Sequence, residues 1–214
     1  MDNEVSVATP VGEARISWCK PVGQARAVMV LGHGSATGVE SPDLQAVARA
    51  LPTHGVAVAL VTQPYRLSGG SHGRDEASLD LAWAHVWPAV AHLGVPVIAG
   101  GRSAGSQVAC RTAKHLGALG VLALSYPLLG PGSVAELLAT GLPVLIVQGG
   151  KDPYGRPDQF PPLPSTTKLV EIPFGNHTFG VPASSGLNAT TTFSTIASAV
   201  ADWTDHLLLG SAPG

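Results

Sequence analysis

Val95-Pro96-Val97-Ile98-Ala99-Gly100-Gly101-Arg102-Ser103-Ala104-Gly105-Ser106-Gln107-Val108-Ala109-Cys110 is the stretch that decides the fold. It opens on an apolar run, Val95–Ala99, of the kind that forms a strand buried on both faces. A helix-length run follows, from Ala104 to Leu116. The turn between them reads Gly101-Arg102-Ser103-Ala104-Gly105, a G-x-S-x-G pattern. Strand, tight turn and helix are the context in which that pattern lifts a serine hydroxyl off a sheet edge. Gly101 and Gly105 lack a Cβ and let strand and helix pass close together. The helix N-terminus adds a positive end beneath Ser103. A glycine-rich βα turn without chemistry is the plainer reading; the flanking strand and helix favour Ser103 as a nucleophile.

Outward from this centre lie further apolar runs: Ala27–Leu31, Val56–Val61, Val121–Leu124, Val144–Val147 and Lys168–Ile172. Most are apolar at nearly every position, which points to a parallel sheet covered on both faces. Helix-length segments alternate with them. Ser41-Pro42 opens one that runs to about His54, with serine at the cap and proline at the first helical position. Asp75–His92, Ala104–Leu116, a short Ser133–Ala139 and Ala189–Leu209 follow. In the last, Ile196, Val200, Trp203 and Leu207 recur at the spacing of one buried face. Val5–Ala8 and Ala14–Trp18 flank a turn at Gly12 and read as an antiparallel hairpin at one sheet edge. The expected class is α/β, with a mostly parallel central sheet and helices on both faces. No linker divides the chain, so residues 1–214 are read as one domain. The stretch Pro153–Pro164 contains Pro157, Pro161 and Pro162 as well and is read as a loop in place of a helix. The tail Ser211–Gly214 is read as loose.

Composition narrows the function classes. The chain has 214 residues, 45% of them hydrophobic and only 12% charged, about half the usual charged share. Lys and Arg number 12 against 14 Asp and Glu, a formal net charge of −2. No strong field favours nucleic acid or an anionic membrane. Cys19 and Cys110 cannot build a disulfide framework or a four-thiolate zinc site. His85, His92 and His115 have no partner spacing for zinc, and neither a phosphate loop nor a dinucleotide fingerprint occurs. No cofactor and no metal are expected. No apolar stretch reaches membrane-spanning length. The start, Met1-Asp2-Asn3-Glu4, is acidic and unlike a secretory leader, so a cytoplasmic location is expected.

A nucleophilic serine needs a base, and the base needs an orienting acid. The run Val144–Val147 ends in Gln148-Gly149-Gly150-Lys151-Asp152, which places Asp152 in a loop at a strand end. Asp158 is the rival acid, further from the strand. The run Lys168–Ile172 leads through Pro173-Phe174-Gly175-Asn176 to His177, the first histidine after Asp152. The only later histidine, His206, lies deep in the final helix. An oxyanion hole takes two backbone N–H groups. Ala104, after the nucleophile, supplies one, and Ser35 in Gly32-His33-Gly34-Ser35 the other, with Gly34 allowing the close turn. His33 precedes the serine and is read as holding that loop, not as the base. Tyr65 and Arg66 fall at the same sheet edge; Arg66 either meets a substrate carboxylate or, the favoured reading, pins the loop through an ion pair. Phe174 and Phe179 flank His177 and are candidates for walling an acyl pocket. Arg102 is read as supporting the turn and Cys110 as a small buried side chain.

Together the segments Leu31-Gly32-His33-Gly34, Gln63-Pro64-Tyr65-Arg66, Gly100-Gly101-Arg102-Ser103, Gln148-Gly149-Gly150-Lys151-Asp152-Pro153 and His177 resemble an α/β-hydrolase. The resemblance runs from Ala27 to Leu209 and is nearest to small, lidless, dienelactone-hydrolase-like proteins, related to the hydrolase-like domain of a chromatin NSL-complex subunit. It implies the α/β-hydrolase fold and a Ser–Asp–His site. The chain departs from true dienelactone hydrolases, which use cysteine where Ser103 stands. Residues 125–143 leave no room for a large lid, so an open, shallow site for small esters or thioesters is expected. The rival readings are a non-catalytic binding or scaffold protein on the same fold, and a cofactor-free perhydrolase on the same triad. The expected partner is a small-molecule ester, with the chain a monomer or homodimer.

Overall fold

The strand leading into Ser103 lies in the middle of a single sheet. The computed structural model describes residues 4–70 and 75–210. Among them, β1 (Glu4–Thr9), β2 (Gly12–Cys19), β3 (Ala27–Gly32), β4 (Val56–Thr62), β5 (Val97–Arg102), β6 (Val121–Leu124), β7 (Val144–Gly149) and β8 (Thr167–Ile172) pair in the order β1-β2-β4-β3-β5-β6-β7-β8. The β1–β2 hairpin and the β2–β4 pair are antiparallel; every pair from β4 across to β8 is parallel. The helices are α1 (Pro42–Ala50), α2 (Pro64–Leu67), α3 (Glu76–Ala91), α4 (Ala104–Thr112), α5 (Ser133–Ala139) and α6 (Ala189–Gly210).

The central strands are fully apolar because each face of the sheet has its own helical layer. Val28, Val30, Ala57, Ala59 and Val61 face Trp83, Val86, Trp87 and Val90 of α3 and Val108 of α4. The alternate residues Ala27, Met29, Leu31, Val56, Val58 and Leu60 face Leu44 and Val47 of α1 and Ile196, Val200 and Trp203 of α6. A strand residue that points away from one core enters the other. Burying one such Leu, Ile or Val contributes about 1.5–3 kcal/mol. This is the α/β-hydrolase architecture: an eight-stranded, mostly parallel sheet between helical layers.

The boundaries differ from the sequence reading where proline or glycine decides them. β5 begins at Val97, not Val95, and runs on through Gly100 and Gly101 to Arg102. Those glycines pair in register with Leu31 and Gly32 on one side and with Leu122 and Ala123 on the other. α1 ends at Ala50 and tightens into a 3-10 turn over Leu51–His54, since Pro52 has no N–H to continue the α ladder. α4 ends at Thr112 and becomes turns before Leu116. Residues 153–164 hold only a 3-10 turn, Pro157–Gln159, within an irregular loop. The loose-tail reading of Ser211–Gly214 lies outside the described residues.

Parallel strands bring their C-terminal ends to one edge. There the chain leaves β3 at Gly32, β5 at Arg102, β7 at Gly149 and β8 at Ile172. β3 is flanked by β4 on one side and β5 on the other, so the strand order reverses between β3 and β5. In open α/β sheets that reversal leaves the crevice in which ligands bind.

Candidate active site

Ser103 stands at the apex of the turn out of β5, with φ 52° and ψ −120°. A β-carbon-bearing residue held in such a region costs about 1–3 kcal/mol and persists only where its surroundings impose it. Here they do. The Ser103 N–H donates to the Leu124 carbonyl (2.9 Å), and its own carbonyl accepts from the Ser106 hydroxyl (2.6 Å) and N–H (2.9 Å). A Cβ on Gly105 would stand 2.5 Å from the Gly32 carbonyl carbon, and one on Gly101 2.6 Å from the Gly105 carbonyl carbon. The two glycines of the motif are therefore the points where β3, β5 and α4 touch backbone to backbone.

His177 Nε2 lies 3.0 Å from Ser103 Oγ, and His177 Nδ1 lies 2.8 Å from Asp152 Oδ2. Asp152 is 1% exposed and completely engaged. Its Oδ2 also accepts from Gln148 Nε2 (2.9 Å), and its Oδ1 accepts from the Tyr154 N–H (2.8 Å). Gln148 is buried at the end of β7 and further bonds the Tyr126 backbone and the Gly155 carbonyl. The loops that carry acid and base are tied together by two backbone bonds, Gly150 N–H to Ile172 carbonyl (2.9 Å) and Lys151 N–H to Gly175 carbonyl (2.8 Å). Asn176 shapes the histidine loop: its Oδ1 accepts from the Thr178 and Gly180 N–H groups, each at 2.9 Å. Asp158 is remote in character, exposed and paired with Arg156 (3.1 Å).

The loop after β3 lies against the serine, since a Cβ on Gly34 would sit 3.4 Å from Ser103 Cβ. His33 is buried beneath it. Its Nε2 accepts the Gln63 N–H (3.0 Å), so Nδ1 carries the proton and donates to the Gly34 carbonyl (2.8 Å). Burial holds the imidazole below its ordinary pKa, in keeping with a neutral ring. The Tyr65 hydroxyl lies 3.3 Å from the Gly34 carbonyl and 3.2 Å from the Ser35 carbonyl. No peptide here is cis. A trans peptide points its N–H opposite its C=O, so the Ser35 N–H faces away from His33 and Tyr65. The Ala104 N–H is among the first of α4 and has no intrahelical acceptor.

Arg102 joins these parts. Its Nη2 donates to the His177 carbonyl (2.9 Å), its Nη1 to Thr37 Oγ1 (3.1 Å), and its Nε lies 3.1 Å from Asp43 Oδ2. Both partners of the ion pair are buried. Burial pushes the Asp43 carboxyl up, and the guanidinium partly opposes that.

The assignments of Phe179, Tyr65 and Phe174 change. Phe179 is 1% exposed and belongs to the α1–α6 core with Ile172, Ile196 and Val200; it does not wall a pocket. Tyr65 lies under the Gly34–Ser35 turn and supports it, with burial raising its pKa. Arg66 keeps its favoured reading and pairs with Glu40 (3.8 Å). Phe174 is exposed with φ 61°, but the ring beside the imidazole is Tyr154, 4.5 Å between centroids and tilted by 55°. Cys110 is buried, and burial pushes its thiol up to about 12. Tyr154, Gln148, Asn176, Asp43 and Thr37 were not singled out from sequence. A glutamine closing an apolar strand and an asparagine before the loop histidine were the available signals. The cavity bordered by Ala104, Gly105, His33, Gln63 and Trp83 holds about 10 Å³. Among the described residues no helix is long and apolar enough to cross a membrane.

Residues 25–205 match the alpha/beta hydrolase domain family, and the chain belongs to that family. Among solved structures, the chain is similar to a dienelactone hydrolase from Anabaena variabilis (22% identity, 96% of this chain and 97% of that one covered, TM-score 0.74). It is also similar to an α/β serine hydrolase without lid from Xanthomonas campestris (20% identity, 94% of each chain, TM-score 0.74). Est1E from Butyrivibrio proteoclasticus shares the fold at 14% identity (97% and 99% covered, TM-score 0.76). No curated protein sequence matches the chain.

Proposed function

We propose that the chain is a single-domain serine hydrolase that cleaves small carboxylic esters or thioesters through an acyl-enzyme. The observation that carries the reading is the relay from Ser103 Oγ to His177 Nε2 (3.0 Å) and from His177 Nδ1 to Asp152 Oδ2 (2.8 Å). In this reading Ser103 Oγ attacks the carbonyl carbon while His177 Nε2 takes its proton. The negative oxygen of the tetrahedral intermediate is held by the Ala104 and Ser35 N–H groups. The intermediate collapses, the bond to the leaving oxygen or sulfur breaks, and His177 returns its proton to the leaving group. Water then attacks the acyl carbon, again through His177, and frees Ser103. Asp152 keeps the imidazole in the Nδ1–H tautomer and stabilises its charged form.

The preference for small acyl groups is supported by the short connection between β6 and β7, residues 125–143, which holds only the seven-residue α5 and no large lid. The test is labelling by a fluorophosphonate probe together with hydrolysis of p-nitrophenyl esters of graded length. Wild type is expected to label, and Ser103→Ala to lose both labelling and turnover while keeping the wild-type melting profile. Acetyl or butyryl esters are expected to exceed chains of about 12 carbons in kcat/KM. Labelling that persists in Ser103→Ala refutes the nucleophile; an inert, unlabelled wild type favours a binding protein.

A further inference from the structure

The geometry points to Tyr154 as a platform for the leaving group, fitting the site to esters of aromatic alcohols. This rests on the reading of His177 as the acid that protonates the leaving oxygen. Tyr154 is 55% exposed, yet it is held in place. Its N–H donates to Asp152 Oδ1 (2.8 Å) and its carbonyl accepts the Leu129 N–H (2.9 Å). The next residue, Gly155, has φ 143°, and a Cβ there would stand 2.5 Å from Leu128 Cβ, which fixes the course of the loop. A large aromatic ring is thus presented to solvent beside the base instead of being folded away. Leu129, 59% exposed, extends the apolar surface next to it.

The direction of proton delivery selects which half of the ester meets this ring. The leaving oxygen must come within hydrogen-bond reach of His177 Nε2, about 2.6–3.2 Å, to receive its proton. The acyl carbon at that moment is bonded to Ser103 Oγ, on the other side of the same proton. The Tyr154 centroid is only 4.5 Å from that of the imidazole. An aryl ring one carbon beyond the leaving oxygen is thus within reach of the Tyr154 ring. Offset or tilted ring pairs prefer centroid separations of about 4.5–7 Å, so a benzyl-type ring is the group this surface rewards. The tyrosine acts as a substrate-binding residue, and its backbone, bonded to Asp152, locates it relative to the relay.

The experiment compares benzyl acetate with ethyl acetate, which share an acyl group and have leaving alcohols of similar acidity. Ethyl phenylacetate serves as the acyl-side control. Wild type, Tyr154→Phe and Tyr154→Ala are assayed as full chains. The benzyl-to-ethyl ratio of kcat/KM is expected to fall about 3- to 10-fold in Tyr154→Ala, the range that a stacked ring pair supplies. It should be kept in Tyr154→Phe, and the phenylacetate-to-acetate ratio should not follow it. Equal losses on benzyl and ethyl acetate overturn the inference and make Tyr154 a support for His177. A selective loss on the phenylacetate overturns it by placing the ring on the acyl side. Absence of any Ser103-dependent turnover in wild type removes the hydrolase reading itself, and this inference with it.

Discussion

Replacing Asp152 by asparagine should separate the acid from its neighbours more sharply than any deletion. Three donors converge on the carboxylate: His177 Nδ1 (2.8 Å), Gln148 Nε2 (2.9 Å) and the Tyr154 N–H (2.8 Å). An amide offers one acceptor oxygen and places an NH₂ at the other position. With the NH₂ in the Oδ2 position it faces the Gln148 NH₂, and His177 must present an unprotonated Nδ1. The imidazole proton then resides on Nε2, which can no longer accept from Ser103. With the NH₂ in the Oδ1 position, the clash falls on the Tyr154 N–H instead, and the neutral amide oxygen facing Nδ1 no longer stabilises the imidazolium that forms. Either arrangement leaves a buried donor facing a donor, worth about 1–3 kcal/mol. For a chain of this size each kcal/mol lowers the melting temperature by about 2–4 °C, so a loss of roughly 2–12 °C is expected. The tautomer effect on kcat in the best-studied serine triad is about 10⁴-fold, and a loss of about 10²- to 10⁴-fold is expected here. Asp158→Asn, at an exposed carboxylate paired with Arg156, should stay within a few-fold of wild type. The assay is p-nitrophenyl acetate turnover beside a thermal melt. Asp152→Asn with turnover within about five-fold of wild type would refute the reasoning, as would a larger loss in Asp158→Asn.

Gly105→Ala forces a methyl group against the Gly32 carbonyl at 2.5 Å; overpacking of this kind costs about 1–3 kcal/mol, and a lowered melting temperature with slower fluorophosphonate labelling is expected. An unchanged labelling rate would mean that the approach of α4 to β3 does not hold the serine. His33 is held below its ordinary pKa by burial, so the unfolded chain takes up that proton first as the pH falls. Its contribution to stability is complete above its ordinary value near 6.5 and declines as the pH drops below it, by at most about 1.4 kcal/mol per pH unit. Melting at pH 7.5 and 5.5 should therefore show a smaller pH difference in His33→Asn than in wild type; equal differences would show that His33 does not carry the effect.

What could be read from the sequence follows from what local patterns encode. Apolar runs bounded by glycine and proline gave the strands, and their lack of alternation gave two covered faces. The chain order of Ser103, Asp152 and His177, each at a strand end, was enough to name three residues that the fold brings within hydrogen-bonding distance. What escaped depends on where a side chain turns after it leaves the backbone. Phe179 and Phe174 look alike in sequence; one is in the core and the other in solvent, because their loop bends between them around Asn176. Tyr154 sits in a proline-rich loop without periodicity, and it is fixed beside the imidazole by bonds to residues distant from that loop's own pattern, its N–H to Asp152 and its carbonyl from the Leu129 N–H. Gln148 reads as strand, yet its amide reaches Asp152 four residues on, a contact made only when the chain reverses after Gly149.

Arg102 makes the edge of the sheet a single unit instead of a set of interchangeable parts. One side chain at the end of β5 holds Thr37 in the loop after β3, Asp43 at the start of α1 and the carbonyl of His177 in the loop after β8. Those partners come from two distant parts of the chain, residues 37–43 and the loop at His177, with Arg102 between them in sequence. A loop placed here without the Thr37 hydroxyl or the Asp43 carboxylate would leave the guanidinium buried and short of a partner. In this chain, loop exchange at this edge is thus constrained by a single arginine: residues 33–43 and 173–180 meet through position 102 and have to be changed with it in view.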